Sequence, residues 1–565
     1  MDIVEKSNRT LRRLEVNDPK LTTLFVASRD RGDQSSGDGY FWLHNGADLG
    51  RLGAAIANNT HLKGLALHTS SDWRLDTRSL LEGLQRNTTV EKLSLHDGIG
   101  IGVLNEYVAN ISNLTEITIL ECDLRGGVAR SLAPVMKRCQ NLNRILFFHC
   151  KIDDASLNQF ATGIKGISSL QRLQLIHTDG DIDGTEGAKA IATLLQDPGC
   201  NITKLDLAVF GFNNESIQTI VNGLRGNIKF KELDLYGNKI ERSGCESIIN
   251  LLQTSSCNLT RLNLGRCEMN NESVTKIVRS LAGNTKLKHL GLSKSRIERS
   301  GCESIINLLQ EPSCNINSLD LGRCELKNDL TTNIVSSLIG NTKLVKLDLS
   351  SNSIGRSGCE SIATLLQDPN SNVEKISLFW NHLGNRLPSD DNKINDDCAR
   401  ILAQALIGNN KLTCLDLWRS SITESGWNAF SNILSNCSNY TLLDVGKHYG
   451  STGFVPGNLA SLLKLNLAVD MEPLFEFDSE GDERKPKALP CIIDWFGRRV
   501  RESNEDGEVV KSSIEARKLS AIFQFARAMP LKFIPSPKSG AKGSDISSGL
   551  SKSVCSLTKK RKHGV

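Results

Sequence analysis

Glu241-Arg242-Ser243-Gly244-Cys245-Glu246-Ser247-Ile248-Ile249-Asn250-Leu251-Leu252-Gln253 recurs letter for letter from Glu298 to Gln310. It returns with small changes from Gly355 to Gln367, so that Cys245, Cys302 and Cys359 step by 57 residues. Gly265-Arg266-Cys267-Glu268 and Gly322-Arg323-Cys324-Glu325 keep the same step. A fixed period of this kind marks an array of stacked units, and it constrains the architecture before any single residue is read.

The 57-residue block is itself two shorter units. Leu205, Leu233, Leu262, Leu290, Leu319 and Leu347 step by 28 or 29 residues. Each lies in a Leu-x-x-Leu-x-Leu pattern followed by Asn, Cys or Ser and then an apolar residue, as in Phe230, Leu233, Leu235, Asn238 and Ile240. The alternating core predicts a short strand. The period-four run Gly244, Ile248, Leu252 predicts a helix with one apolar face. Ser243 to Glu246, and its copies at Ser300 and Ser357, have capping-box spacing, with Ser expected as N-cap and Glu reaching back to it. One unit buries too little to hold itself, so units must stack strand beside strand and helix beside helix.

This pattern resembles the leucine-rich repeats of the ribonuclease-inhibitor type, over about Leu62 to Val445. Cys267, Ser295, Cys324 and Asn352 follow the alternation of ladder residues found there, with Ser once in place of Asn. The resemblance implies an α/β solenoid or horseshoe, with a parallel sheet on the concave face and helices on the convex face, to which the residues after the repeats are expected to add a C-terminal helical cap. It also implies an intracellular protein-binding role. Similar repeats occur in nuclease inhibitors and in activators of the small GTPase of nuclear transport. The latter carry a long acidic tail, and the tail here is basic.

The rest of the chain is divided around this array. Residues 1–61 are expected to form an N-terminal cap, with a strand at Leu21, Leu24 and Val26 and a helix from Ala47 to Asn58. The solenoid runs over 62–446, with strands near Leu65, Leu93, Ile117, Ile145, Leu173, Ile376, Leu415 and Leu443. The long steps are assigned to a turn at Thr178–Gly184 and to a polar insertion at Arg386–Asn395. Residues 447–531 are expected to cap the last repeat. They comprise a charged linker at Asp478–Pro486 and amphipathic helices at Leu489–Arg499 and Ile514–Met529. Residues 532–565 are Ser-, Gly- and Lys-rich and predict a disordered tail. Its cluster Lys559, Lys560, Arg561 and Lys562 has the composition of a nuclear import signal or of a solubilising end.

Composition narrows the function. Of the net charge of +5, the segment Lys532 to Val565 supplies +7, leaving the body near −2. The body is therefore not a general polyanion binder, and nucleic acid is expected only as a weak, salt-sensitive contact of the tail. Met1 to Val16 has no apolar run, so no secretion signal is expected, and no stretch is long enough to span a membrane. Most of the 16 cysteines fall at repeat positions, which predicts buried reduced thiols in a cytoplasmic or nuclear protein. No phosphate loop, zinc-protease motif or Cys-x-x-Cys pair is present, so no enzyme activity, cofactor or metal is predicted. His68, His96, His149 and His177 lie on successive strands without paired carboxylates and are assigned to the surface. The chain is expected to be monomeric.

Binding is expected on the sheet face, where residues between the core leucines project. Asp206, Asp234, Asn263, Gly291, Asp320, Asp348, Ser377, Asp416 and Asp444 form a discontinuous acidic column. It is either a docking feature or a self-satisfied solvated sheet. Phe379, Trp380, Trp418 and Arg419, with Tyr236 at an equivalent place earlier, are the candidate partner-binding residues, together with Lys375 and Asp416. Large aromatics on a face of Ser, Gly and Asp have hot-spot character. The alternative is packing beneath the Arg386–Asn395 insertion. Leu120, Leu146, Phe148 and Ile176 form a second candidate apolar patch.

Overall fold

The structure, a computed structural model, describes residues 3–28, 39–43, 47–68, 78–96, 113–176, 185–381, 393–437, 445, 475–477 and 484–486. The chain divides into two compact units, 1–460 and 461–565. The first is an open leucine-rich-repeat solenoid built on one parallel sheet of 15 strands. Its strands are β1 (Thr23–Ser28), β2 (Tyr40–Leu43), β3 (Gly64–His68), β4 (Lys92–His96), β5 (Glu116–Leu120), β6 (Arg144–Phe148) and β7 (Arg172–Ile176). They continue as β8 (Lys204–Asp206), β9 (Glu232–Asp234), β10 (Arg261–Asn263), β11 (His289–Gly291), β12 (Ser318–Asp320), β13 (Lys346–Asp348), β14 (Lys375–Ser377) and β15 (Cys414–Asp416).

From β3 to β15 the strands follow chain order, and the core leucines pair in register, as Leu262 with both Leu233 and Leu290. Helices such as Arg242–Gln253 and Asn271–Arg279 return the chain between strands. Their apolar faces (Ile248, Leu252, Val274, Ile277) and the strand leucines are buried together. The long steps do not break the register, since Leu173 pairs with Leu205 and Ile376 with Leu415. The end of the assigned insertion belongs to the solenoid: Ile394 is fully buried and Asn395 is the N-cap of the helix Asp396–Ala405. The remainder of the insertion, the turn at 178–184, Leu443, both C-terminal helices and the basic tail lie outside the described residues. Val445 marks the next rung, its carbonyl accepting from Leu417 N–H at 3.2 Å.

The N-terminal end is more elaborate than the pattern predicts. β2 follows β1 in the chain but lies outside it, so the edge order is β3-β1-β2. The helix Ile3–Glu15 packs along this last strand. Ser7 Oγ accepts from Trp42 N–H at 2.8 Å, and Thr10 Oγ1 donates to the Tyr40 carbonyl at 2.9 Å. A bare edge strand is a template for unwanted pairing, and the two hydroxyls engage its backbone groups.

The capping box is a misreading. The N-caps are Glu241, Glu298 and Gly355, with no side-chain cap bond of their own. The helix starts are satisfied by the preceding unit instead. Asn214 Oδ1 accepts from Glu241 N–H at 3.0 Å and Gly244 N–H at 2.9 Å, while its Nδ2 donates to Ser243 Oγ. Asn271 and Asn328 repeat the arrangement at Ser300-Gly301 and Ser357-Gly358. A Cβ on Gly244 would stand 2.7 Å from Asn214 Oδ1, so the glycine is what lets the asparagine reach the amide. Glu246 and Glu360 pair instead with Arg242 and Arg356 one turn back. Local spacing could not separate a cap within one helix from one delivered by the neighbouring helix.

Ladder residues close the other end of each unit. Asn352 Nδ2 donates to the Leu321 and Leu349 carbonyls, and Oδ1 accepts from Cys324 and Leu326 N–H. Cys267 and Cys324 donate through Sγ to the Leu235 and Leu292 carbonyls. Thirteen of the cysteines have described side chains, each a free thiol. Burial pushes Cys150 up to about 11 and Cys267 up to about 12, so neither is a ready thiolate. No helix among the described residues is long and apolar enough to cross a membrane. In the second unit, β16 (Phe475–Phe477) pairs antiparallel with β17 (Arg484–Pro486). The stretch assigned to a charged linker thus ends in a strand.

Candidate partner-binding face

Register aligns the outward side chains into columns across the sheet. The first holds Lys204, Glu232, Arg261, His289, Ser318, Lys346, Lys375 and Cys414. Lys375 is exposed beside Lys346, with like charges on adjacent strands. His289 is pushed down to about 4, by burial first and then by Arg261 and Lys346.

The second column is the acidic one, and much of it has a structural task. Asp234 Oδ1 accepts from Tyr236 N–H at 3.0 Å, Asp320 from Gly322 at 2.9 Å, Asp348 from Ser350 at 2.8 Å and Asp416 from Trp418 at 3.0 Å. Asn263 accepts likewise from Gly265 and donates to Asp234 Oδ2 at 3.0 Å. Each closes an Asx-type turn where the chain leaves the strand. Burial, then the neighbouring Asp234, raises the pKa of Asp206; burial, then Asp348, raises that of Asp320. Asp444 lies outside the described residues.

The aromatic candidates come one step further along. Phe379 and Trp418 occupy matching positions and stack, centroids 5.1 Å apart and 24° between planes. Trp380 meets Phe379 edge-on at 5.9 Å. The Arg419 guanidinium lies over both indoles, 4.6 Å from Trp418 and 5.0 Å from Trp380. Arg323, which the sequence did not attach to this group, lies 5.3 Å from the Trp380 ring. The three rings are half-buried and Arg419 is exposed. Asp416 is tied to the cluster through the Trp418 amide, and Lys375 lies on the adjoining strand β14.

Tyr236 does not join them. It shares their column but stands five strands away, about 24 Å at the usual strand spacing. Gly265, Ser293, Gly322 and Ser350 fill the interval. At the other end of the sheet Leu120, Phe148 and Ile176 sit side by side in register, as the second patch requires. His68 and His96 stack at 4.2 Å. His177 lies outside the described residues. Among the described residues, no group of three or more His, Cys, Asp or Glu gathers as a metal site would.

The family described as Leucine Rich repeat matches residues 255–278 and 340–363. The ribonuclease inhibitor of Sus scrofa is 25% identical over 381 residues, covering 66% of this chain and 80% of that one. The Mus musculus ribonuclease inhibitor is 24% identical over 372 residues, 65% of this chain and 78% of its own length. The chain is thus similar to ribonuclease inhibitors over their leucine-rich repeats. Repeats of this kind also join it to NACHT, LRR and PYD domains-containing protein 14 of Mus musculus, 27% identical over 377 residues. That match spans only 36% of the larger protein.

The sequence missed one feature of this leucine-rich-repeat face, the residue that follows the aromatic column. Arg266, Lys294, Arg323, Ser351, Trp380 and Arg419 occupy it in successive units, each with φ between 54° and 58°. The signal was present in the repeated Gly265-Arg266 and Gly322-Arg323. Nothing in that pattern indicates that the Arg323 side chain reaches Trp380.

Proposed function

We propose that this chain is a non-enzymatic interaction scaffold that receives a protein partner on the exposed face of its sheet. Phe379, Trp380, Trp418 and Arg419 are its anchor, flanked by Lys375 and Asp416, with Tyr236 as a separate contact. The observation that carries the reading is the stacked cluster itself, large half-buried rings at the end of a column filled by Gly265, Ser293, Gly322 and Ser350 in the units before it. Stacking and the Arg419 contacts fix these side chains before a partner arrives, so little rotamer freedom is lost on docking. Buried aromatic and arginine anchors are worth about 2 kcal/mol or more each at an interface. The chain acts as a monomer in the cytoplasm or nucleus, without cofactor. Residues 1–61 and 447–531 serve as end caps, and Lys559 to Lys562 as an import signal. Affinity capture with wild type and with the Trp380→Ala, Trp418→Ala variant tests this. Partners should be lost from the variant, and identical partner sets would sink the proposal.

The likeness to two ribonuclease inhibitors, over about four-fifths of their length, favours a narrower second reading. In it the bound partner is a nuclease and binding blocks it. Adding the purified protein to a panel of ribonucleases should then slow RNA cleavage in stoichiometric fashion. Unchanged rates across the panel would remove this version.

A further inference from the structure

We propose that the cation row Arg266, Lys294 and Arg323, continued by Trp380 and Arg419, docks an extended acidic segment of a protein partner. This rests on the reading of the sheet face as a protein-binding surface and adds the chemistry of what binds there.

The row is built into the backbone. Arg266 N–H donates to the Ser293 carbonyl at 2.6 Å, Lys294 to Gly322 at 2.8 Å and Arg323 to Ser350 at 2.8 Å. The three Cα atoms are thereby held in neighbouring units, about 4.8 Å apart at strand spacing. All three residues are left-handed, with φ of 55°, 58° and 57°. Glycine is the relaxed choice for that conformation, and Gly237 takes it one unit earlier. The next three units accept the strain and carry cations.

These cations are held in no salt bridge among the described residues. None of the three forms an ion pair or a side-chain hydrogen bond among the described residues. Elsewhere on the same face Arg144 pairs with Glu116 at 2.6 Å and Lys204 with Glu232 at 3.5 Å. Lys294 is disfavoured as an ammonium, by burial first and then by Arg266 and Arg323 on either side. An anion laid along the row would relieve that repulsion. Arg323 and Arg419 lean on the Trp380 ring, which leaves their N–H edges available for carboxylates.

The geometry also selects a peptide over a polynucleotide. Behind the row, neighbouring side chains close over Gly265 and Gly322; a Cβ on Gly265 would come within 2.9 Å of the Tyr236 ring. Behind these glycines runs the column of Asp234, Asp320 and Asp348. A phosphodiester chain is charged at every step and would press against these carboxylates. An extended peptide sends alternate side chains to opposite sides, so its acids can face the cations while its other face stays neutral.

The probe is a fluorescein-labelled eight-residue peptide alternating Glu and Gly, followed by anisotropy at low salt. Its controls are the same peptide with Gln for Glu, and an eight-residue oligothymidylate. Wild type should bind the Glu peptide, less so as salt rises, and ignore the Gln peptide. The Arg266→Gln, Lys294→Gln, Arg323→Gln variant keeps an unbranched polar side chain at each site while removing the charge, and should bind about tenfold more weakly. If that variant unfolds more readily, Arg266→Gln alone, at an exposed site, must still weaken binding severalfold. No binding by wild type, equal binding by the variants, or oligothymidylate binding as tightly as the peptide would each overturn the assignment. The two readings fail separately. Unchanged partner capture by the Trp380→Ala, Trp418→Ala variant removes the aromatic anchor, whereas peptide binding indifferent to the glutamine changes removes only the row.

Discussion

β3 to β7 each run five residues, whereas β8 to β15 run three. The change falls at β8, where Asp206 is the first acid in its column. Before it the same position holds Ala66, Ser94, Thr118, Leu146 and Gln174, and pairing in regular geometry continues for two more residues. From Asp206 onward most units carry an Asp or Asn that takes the amide two residues on and turns the chain early. Gly291 and Ser377 lack that group, and their strands are equally short because paired neighbours on both sides impose the register. The same residues divide the face chemically. The five-residue half presents Leu120, Phe148 and Ile176, each half-buried. The three-residue half exposes small residues, a cation row and the terminal aromatic cluster. A side chain that ends a strand therefore also decides what the surface beyond it displays.

The halves differ in that the three-residue half adds asparagine rungs, Asn238, Asn352 and Asn381, to thiol rungs such as Cys267. Asn352→Ala removes the two acceptor and three donor bonds of a fully buried amide. It should cost about 3 kcal/mol, read from urea unfolding. In the five-residue half Cys150 offers only thiol contacts, at 3.4 and 3.6 Å to the Ile119 and Phe148 carbonyls. Cys150→Ala should cost about 1 kcal/mol. Equal losses would break the contrast between the halves.

Ser295→Asn sharpens it from the other side. Ser295 stands midway between Asn238 and Asn352 in the 57-residue period, is buried, and its hydroxyl has no partner among the described residues. Asparagine there would face the Leu264 and Leu292 carbonyls and the Cys267 and Met269 amides, as Asn352 faces their counterparts. A gain of about 1 kcal/mol is expected, and a loss would show that this rung differs from its neighbours.

The smallest effect concerns the strand-ending acids. Asp320 binds its proton more tightly folded than unfolded, so its contribution to stability falls as pH rises from the ordinary carboxylate value of 3.8 through its raised one. Asp320→Asn keeps an acceptor for the Gly322 amide and adds a donor toward Asp348, as Asn263 does toward Asp234. It should stabilise by up to about 1 kcal/mol at neutral pH, and the gain should vanish in acid. A gain independent of pH would contradict this account.

Much of this was legible in the sequence because the period is long and repeated. It placed the strands around the core leucines, the Ala47–Asn58 helix, the register across both long steps and the pairing of Phe379 with Trp418. It did not reveal the helix Ile3–Glu15 or β2, which belong to no repeat. It misassigned the Ser243 and Glu246 pair, because a partner 30 residues away competes on equal terms with one three residues away. It listed Tyr236 with the other aromatics, since equivalence of position says nothing of separation across the sheet. The Lys294 contribution escaped because its neighbours Arg266 and Arg323 lie in the other class of repeat.

The asparagines that reach from one helix start to the next carry a further implication for how such a chain lengthens or shortens. Asn214 and Asn271 are interchangeable acceptors for interchangeable glycine amides, those of Gly244 and Gly301. Excising Arg242 to Glu298 would join Glu241 to Arg299 and present Asn214 with an identical socket. Loss of a single 28- or 29-residue unit would instead set two rungs of the same class against each other. The heritable brick of this protein is the pair.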